Sequence, residues 1–395
     1  MKKILKYFLF SLHNYFTLLL FFWNKYYIII LEVMIMRVII TAGGTGGHIY
    51  PALAIVDKIK EMEPKSEFIY IGTHNRMEKD IVPKRGIKYI PIEIYGLSTS
   101  PKLMGRNVKN IFLIASAIKK CESIIKEFKP DVVIGVGGYV TYPVIRAAKK
   151  CHVPSFIHEQ NSIVGKANKS LLKMVDCVGV SFKDSIKQVK HSNVVLTGNP
   201  VSEGALKKKK ISKTSYGLST NKKSVLIFNG SLGSKAINEK LLDYLNNASK
   251  YNYEILYVTG KTYYEEFKKN KFPKNVFIEP YIDNLSGLMK DIDLIVCRAG
   301  ASSIAEITAL GVPSVLIPSP YVANNHQYYN ALSIVESNSG EMIEEDKLNK
   351  KSLEEKIDSI INNSSRQKEI KNNLSKLNID DSATIIYNEI KKIIK

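Results

Sequence analysis

Residues 38–48 read VIITAGGTGGH, a short β-branched run that opens into Gly43, Gly44, Gly46 and Gly47 and ends on His48, with Pro51 close behind. A run of that length bounded by glycines reads as a buried strand, and a proline soon after the glycines marks the first turn of a helix. The glycines let backbone approach a ligand closely, and the helix start offers free N–H groups where negative charge is favoured. An anionic or oxygen-rich group should dock there. As a dinucleotide fingerprint the turn is poor. Its spacing departs from G-x-G-x-x-G, and no acidic residue ends the next strand to take a ribose hydroxyl, which argues against NAD.

Outward from this turn the chain alternates strand and helix. Strands are expected at 37–41, 67–72, 131–135, 153–158, 177–180 and 194–197. A second series is expected at 224–228, 254–259, 276–280, 293–297 and 313–318. The halves echo one another, since VIITAGGTGGH resembles VLIFNGSLGS and VVIGVGGY resembles LIVCRAGASS. Each pairs a strand with a Gly-rich turn into a helix. Gly198-Asn199-Pro200 is a turn-forming tripeptide ahead of the lysine run 207–210, and it marks the boundary. The expected domains are 36–198 and 199–375, with a last helix at 376–395 returning to the first domain. Both are doubly wound α/β units with a ligand cleft at the carboxyl ends of their sheets.

A chain of 395 residues suits two such domains. With 45% hydrophobic and 24% charged residues, it fits neither a disordered protein nor a polytopic membrane protein. The formal net charge of +20 favours polyanionic partners, whether nucleic acid, an anionic membrane surface or phosphorylated substrates, and charge alone does not choose among them. Runs such as 207–210 also read as solvated surface. Cys121, Cys151, Cys177 and Cys297 have neither CxxC nor metal-type spacing, which points to a reducing cytoplasm without a disulfide framework or a zinc site. Residues 1–35 carry Lys2, Lys3 and Lys6 and then an aromatic-rich apolar stretch that is short for a membrane span and has no A-x-A-like cleavage site. Either they precede a true start at Met34 or Met36, or they form a membrane-surface helix.

Several side chains stand where chemistry is expected. His48 ends the first Gly-rich turn and titrates in the range of a general base, or else braces the loop. Asn229-Gly230-Ser231-Leu232-Gly233 adds a hydroxyl suited to a phosphate oxygen. Arg298 to Ser303 opens another helix whose N-terminus carries roughly half a positive charge. Glu306, one turn into that helix, either accepts both hydroxyls of a ribose or only complements the dipole. His158-Glu159-Gln160-Asn161 and Asn324-Asn325-His326-Gln327 are amide-rich clusters after strands, suited to sugar hydroxyls and acetamido groups.

In this order the segments GGTGGHIYPALA, GVGGYVTYP, HEQN, GNPV, NGSLGS, CRAGASSIAE and NNHQYYNA resemble the bacterial MurG family from about Met36 to the C-terminus. The resemblance implies a GT-B fold, two Rossmann-like doubly wound domains facing a central cleft. It also implies inverting transfer of GlcNAc from UDP-GlcNAc to the C4 hydroxyl of MurNAc in undecaprenyl-pyrophosphoryl-MurNAc-pentapeptide (lipid I), giving lipid II. Carried over by motif, Ser231 with the Ala301 and Ser302 amides holds the diphosphate, Glu306 the ribose and Ile282 the uracil. Asn161 and Gln327 take the GlcNAc hydroxyls, and Thr45, Gly46 and Gly47 sit beside the donor. His48 is the candidate base, and Gly137, Gly138, Tyr139 and His158 lie on the acceptor side. No metal or other cofactor is required, and a divalent cation at most stimulates.

Many family members carry an arginine just behind the GNP turn, where this chain has Val201-Ser202-Glu203. The expected setting is the cytoplasmic face of the membrane, peripheral and without nucleic acid. The stretch 102–120 mixes Val108, Ile111, Phe112, Ile114 and Ile118 with Lys102, Arg106, Lys109 and Lys119. It reads either as a bilayer contact or as a buried helix whose lysines snorkel. Three competing readings share parts of this pattern, one being a UDP-GlcNAc 2-epimerase, which shares the fold but would interconvert the sugar nucleotide without any acceptor. A diacylglycerol glycosyltransferase would need a different acceptor loop, and a non-catalytic basic surface module leaves Glu306 and Gln327 unexplained.

Overall fold

A computed structural model describes residues 35–96, 104–230 and 233–394, with backbone alone for 104–106 and 108. The expectations for residues 1–34, Lys102 and Ser231, and for the side chains of Arg106 and Val108, lie outside the described residues.

The β-branched runs are buried on both faces, as strands covered by helices on each side must be. In the first sheet they are β1 (Arg37–Thr41), β2 (Glu67–Thr73), β3 (Lys88–Ile92), β4 (Val132–Gly135), β5 (Ser155–Glu159), β6 (Cys177–Val180) and β7 (Val194–Leu196). All pair parallel, in the order β3-β2-β1-β4-β5-β6-β7. The second sheet comprises β8 (Lys223–Phe228), β9 (Tyr253–Val258), β10 (Val276–Glu279), β11 (Leu294–Arg298), β12 (Ser314–Ile317) and β13 (Glu341–Met342). Its order is β10-β9-β8-β11-β12-β13, again parallel. Chain direction across each sheet reverses between β1 and β4 and between β8 and β11. Ligands of open parallel sheets bind at those two switch points.

The sequence reading missed β3 and β13, and both are edge strands. β3 contains Pro91, which cannot donate to a ladder and so demotes a run read in isolation. β13 is only two residues long. Neither had the β-branched, fully buried character that made the central strands legible.

The helices that matter most leave the switch points. α1 (Gly46–Met62) buries Ile49, Ala52, Leu53, Val56 and Ile59 against the first sheet, a helical stripe worth roughly 1.5–3 kcal/mol per large side chain. α2 (Met104–Phe128) buries Ala117, Cys121 and Ile125, while Ile111 and Phe112 nearer its start are 59% and 72% exposed. α3 (Thr141–Lys150) follows β4.

The crossing helix α4 (Val201–Lys207) leads to the second domain, where α5 (Lys235–Asn246) follows β8 and α6 (Ala301–Leu310) follows β11. α7 (His326–Glu336), α8 (Lys350–Ile361) and α9 (Ser364–Leu377) complete that domain. α10 (Ser382–Ile393) packs Ile386, Tyr387 and Ile390 into the first domain's core beside Ile49 and Val56, and the Tyr387 hydroxyl donates to Glu63 at 2.8 Å.

Glu203 of α4 ties the crossing down. It pairs with Lys58 of α1 at 2.5 Å, both side chains under a tenth exposed, and it accepts from the Thr384 N–H of α10 at 3.2 Å. Breaking such a buried pair costs about 3–5 kcal/mol because one charge is left behind. The lysine run is only partly solvated surface. Lys207 pairs with Glu61 at 2.8 Å and Lys210 with Asp291 at 2.6 Å. The four cysteines are free thiols.

Candidate active site

At the first switch point the Gly-rich turn is pressed onto the loop after β4. The Gly43 N–H donates to the Gly137 carbonyl at 3.3 Å. A Cβ on Gly138, at φ +86, would collide with the Gly43 carbonyl oxygen, so this close approach needs glycine. Beneath the turn lies a residue the sequence reading missed, Glu78, which is fully buried. Its carboxylate accepts from Thr73 N–H at 3.1 Å, Thr73 Oγ1 at 2.6 Å and Gly44 N–H at 3.3 Å. A glutamate on a short helix after β2 carries no local pattern that would single it out.

Thr45 is the extended N-cap of α1, and its hydroxyl lies 3.4 Å from His48 Nδ1. Gly46 and Gly47 form the first turn, whose N–H groups have no partner within the helix. His48 Nδ1 donates to the Gly43 carbonyl at 3.1 Å. The proton therefore sits on Nδ1, and Nε2 is the unprotonated nitrogen. The ring lies against Gly137, where an added Cβ would meet Cδ2 at 2.6 Å and Nε2 at 2.9 Å. Burial lowers the His48 pKa below its usual 6.5, as does His326 across the cleft, while Glu159, the Gly43 carbonyl and Glu78 oppose the shift. At neutral pH the ring is a free base.

His158 is placed differently from the sequence expectation of an acceptor-side residue. Its ring is fully buried. Nε2 donates to the Gly198 carbonyl at 2.9 Å, and Nδ1 accepts from Gln160 Nε2 at 2.9 Å. Burial pushes its pKa down to about 4. With both nitrogens used inside the protein, His158 joins β5 to the domain crossing and cannot reach an acceptor. Gly137 and Gly138 brace the His48 turn, and half-buried Tyr139 packs on the first domain's core.

Asn161 sits at the domain junction. Its amide donates to Glu159 Oε1 at 3.1 Å and accepts from Asn330 Nδ2 at 3.2 Å. Asn330, unnoticed in the sequence although it lies one turn past Gln327, is fully buried and uses its whole amide across the cleft. Oδ1 accepts from Ser162 N–H at 2.8 Å and Ser162 Oγ at 3.0 Å, and Nδ2 also donates to the Ala299 carbonyl at 3.2 Å. Gln327 Oε1 accepts from Ser319 N–H at 2.9 Å, leaving its NH₂ as the group to offer a ligand.

On the opposite wall α6 starts at Ala301 with Gly300 as an extended cap, so the Ala301, Ser302 and Ser303 N–H groups point out of the helix without intrahelical partners. Ser302 Oγ is buried with no partner. Glu306 lies one turn further. Burial raises its pKa to about 7, against the lowering effects of Ser286 and Lys208. The Ile282 side chain is 4% exposed and belongs to the core with Leu218 and Phe228, so its backbone is what it can offer a base. Glu203, standing behind the GNP turn, faces Lys58 of α1. The site thus sets a neutral imidazole and one helix N-terminus on one wall against a second helix N-terminus and a burial-shifted carboxylate on the other.

Two parallel-sheet domains, each with a Gly-rich turn at its switch point, define a GT-B fold. Residues 38–180 match the glycosyltransferase family 28 N-terminal domain, and residues 224–384 match its C-terminal domain. A Bacillus cereus protein named UDP-N-acetylglucosamine--N-acetylmuramyl-(pentapeptide) pyrophosphoryl-undecaprenol N-acetylglucosamine transferase 1 is 43% identical over 365 residues, covering 91% of this chain and 100% of the relative. A Bacillus licheniformis transferase of that name, without the numeral, is 43% identical over 363 residues, covering 91% and 99%. Among solved structures, MurG of Acinetobacter baumannii aligns with a TM-score of 0.73 at 25% identity, covering 90% of this chain and 99% of its own. The UDP-GlcNAc 2-epimerase of Neisseria meningitidis, bound to UDP-GlcNAc, shares the fold at 0.63 and 18% identity, covering 90% and 100%. The chain belongs to the MurG family of N-acetylglucosamine transferases.

Proposed function

We propose that the chain transfers N-acetylglucosamine from UDP-GlcNAc to the C4 hydroxyl of the muramic acid sugar of lipid I, with inversion, making lipid II for peptidoglycan. The observation that carries the mechanism is the His48 tautomer: Nδ1–H is tied to the Gly43 carbonyl and Nε2 is unprotonated, between two helix N-termini. Inversion requires one in-line displacement. His48 Nε2 takes the proton from the acceptor hydroxyl as that oxygen attacks the anomeric carbon, and UDP leaves from the opposite face. General-base help of this kind is worth about 10²- to 10⁴-fold.

The leaving diphosphate gathers charge, and the Ala301 and Ser302 amides at the α6 N-terminus stabilise it, together with Ser231. Each well-aimed donor contributes roughly 2.7–4 kcal/mol by analogy with oxyanion holes. Glu306 accepts the ribose hydroxyls, the Ile282 backbone reads uracil, and Asn161 with Gln327 hold the GlcNAc hydroxyls. In this mechanism charge is met by amides and a helix dipole, without a resident metal, and a divalent cation at most stimulates.

The exposed Ile111 and Phe112 on α2, beside Lys109, support docking of the first domain on an anionic membrane surface. Among the described residues no helix is long and apolar enough to cross a membrane. Peripheral attachment at the cytoplasmic face fits a lipid-linked acceptor, and nucleic acid is not a partner in this reading. The test is UDP release from UDP-GlcNAc with and without purified lipid I. Acceptor-dependent release that collapses in His48→Ala is expected. Release independent of lipid I would sink the reading.

A further inference from the structure

The Gly43–Gly44 peptide group is hydrogen-bonded at both ends. Its carbonyl accepts from His48 Nδ1 at 3.1 Å, and its N–H donates to Glu78 Oε2 at 3.3 Å. A trans peptide points its N–H and C=O in opposite directions, so a single amide stands between the imidazole and the carboxylate. Gly43 is what lets the carboxylate come so close, because an added Cβ there would meet Glu78 Oε1 at 2.6 Å. The other end of the carboxylate is fixed by Thr73, whose N–H and Oγ1 donate to Oε1 at 3.1 and 2.6 Å.

Glu78 is fully buried on a helix of only four residues, Glu78–Ile81. Burying a charge is costly, and a neutral side chain would brace a turn at lower cost. Hydrogen bonds in a chain polarise one another, so a carboxylate on the N–H makes the carbonyl at the other end a stronger acceptor. That holds the proton on Nδ1, leaves Nε2 free, and steadies the imidazolium formed when Nε2 takes the acceptor's proton. The charged and titratable groups facing His48 are Glu159 at the end of β5, His326 of α7 and Glu78. Those facing Glu78 besides His48 are the phenols of Tyr70 on β2 and Tyr89 on β3, both kept neutral by burial.

We propose that Glu78 is the positioning residue of the base, acting on His48 through the Gly43–Gly44 peptide. The inference rests on His48 being the base. In a Ser-His-Asp triad the aspartate bonds Nδ1–H directly and fixes the tautomer. Here an amide is inserted between the two, and no proton moves to the carboxylate.

The test is ring-nitrogen NMR of His48 in the full chain, beside the pH profile of acceptor-dependent UDP release. Glu78→Gln keeps the shape, but with its oxygen on Thr73 its NH₂ faces the Gly44 N–H. The Nδ1–H tautomer should lose population, and the His48 titration and the acid limb of kcat should both move down by roughly half a unit to one unit, less than a carboxylate in direct contact gives. At the plateau kcat should fall by about ten- to a hundredfold, the range for outer partners of metal-bound histidines, at unchanged KM for UDP-GlcNAc. Thr73→Val removes one bond to the same carboxylate and leaves its charge on Gly44, so it should lower the melting temperature without moving the His48 titration down. If Glu78→Gln does not fold, Glu78→Asp draws the charge one methylene back from Gly44 and should give a smaller shift of the same sign. The proposal is overturned by an unchanged His48 tautomer and titration in the folded Glu78 variant, or by an equal downward shift in Thr73→Val, which would make the effect one of packing. A near-normal kcat in His48→Ala would instead sink the reading of His48 as the base, while the ring NMR still decides whether Glu78 acts on His48.

Discussion

The two Gly-rich turns occupy equivalent switch points but are held by different groups. The first is clamped: Gly138 abuts the Gly43 carbonyl, Glu78 bonds the loop from below, and the Gly137 carbonyl accepts from Gly43 N–H. In the second, Gly230 at φ +81 would present an added Cβ with nothing inside 4 Å, as Gly44 does in the first, while Gly233 at φ +75 would put one 2.2 Å from the Thr259 carbonyl oxygen. Burial shifts a titratable group toward neutrality at each, lowering His48 and raising Glu306. A neutral imidazole is ready to act as a base, whereas a half-protonated carboxylate still needs a partner that favours its ionised form. Under the proposed mechanism the first domain therefore offers its base ready for use, and the second relies on its ligand to ionise Glu306.

The largest expected effect tests the first half of that contrast. His48→Ala should lower kcat by about 10²- to 10⁴-fold with UDP affinity nearly unchanged, measured by steady-state kinetics and calorimetric titration. A kcat within a few-fold of wild type would move the base elsewhere. Next, the two glycines can be compared directly. Gly138→Ala and Gly230→Ala both force alanine into positive φ at about 1–2 kcal/mol, but only Gly138→Ala adds a collision with backbone. Thermal melts should therefore show the larger loss for Gly138→Ala, and equal losses would deny that the Gly43 carbonyl leaves no room for a side chain there.

The donor half yields a pH prediction. If only ionised Glu306 accepts the ribose hydroxyls, a proton must leave before nucleotide binds below its pKa of about 7. UDP affinity should then be at its plateau above that pH and fall by up to about tenfold per unit below it. Glu306→Gln should flatten the profile and weaken UDP by roughly tenfold to a hundredfold, the value of hydrogen bonds to a charged group. The smallest effect concerns the first domain alone. Phe112→Asp should weaken binding to anionic liposomes by about tenfold, in line with burial of one aromatic side chain, and leave UDP-GlcNAc binding untouched. Unchanged liposome binding would remove α2 from the membrane contact.

Much of the fold and site is legible in the residues alone, and the exceptions share a cause. Strands buried on both faces announce themselves as β-branched runs, so the central strands were read to within a residue or two, while Pro91 hid β3 and brevity hid β13. Motif reading named His48 and Glu306 because each follows a Gly-rich turn at a spacing that local geometry fixes. It misplaced His158, since alternation along β5 does not say which side chains a later segment will cover. Gly198, forty residues on, covers this one. Asn330 and Glu78 were invisible for a related reason: their partners, Ser162, Asn161 and the Gly44 N–H, lie far away in sequence or belong to backbone.

Local sequence sets two parallel α/β domains, the switch points, and the residues that helix starts and Gly-rich turns bring to the cleft. These result from steric limits on φ and ψ, the periodicity of burial and the free N–H groups of a helix end, all of which act within one turn or strand. Tertiary packing settles which histidine is free, which way its proton sits and how far burial moves Glu306. Those outcomes depend on desolvation and hydrogen-bond partners supplied by other elements, a property of the packed whole that no local stretch encodes.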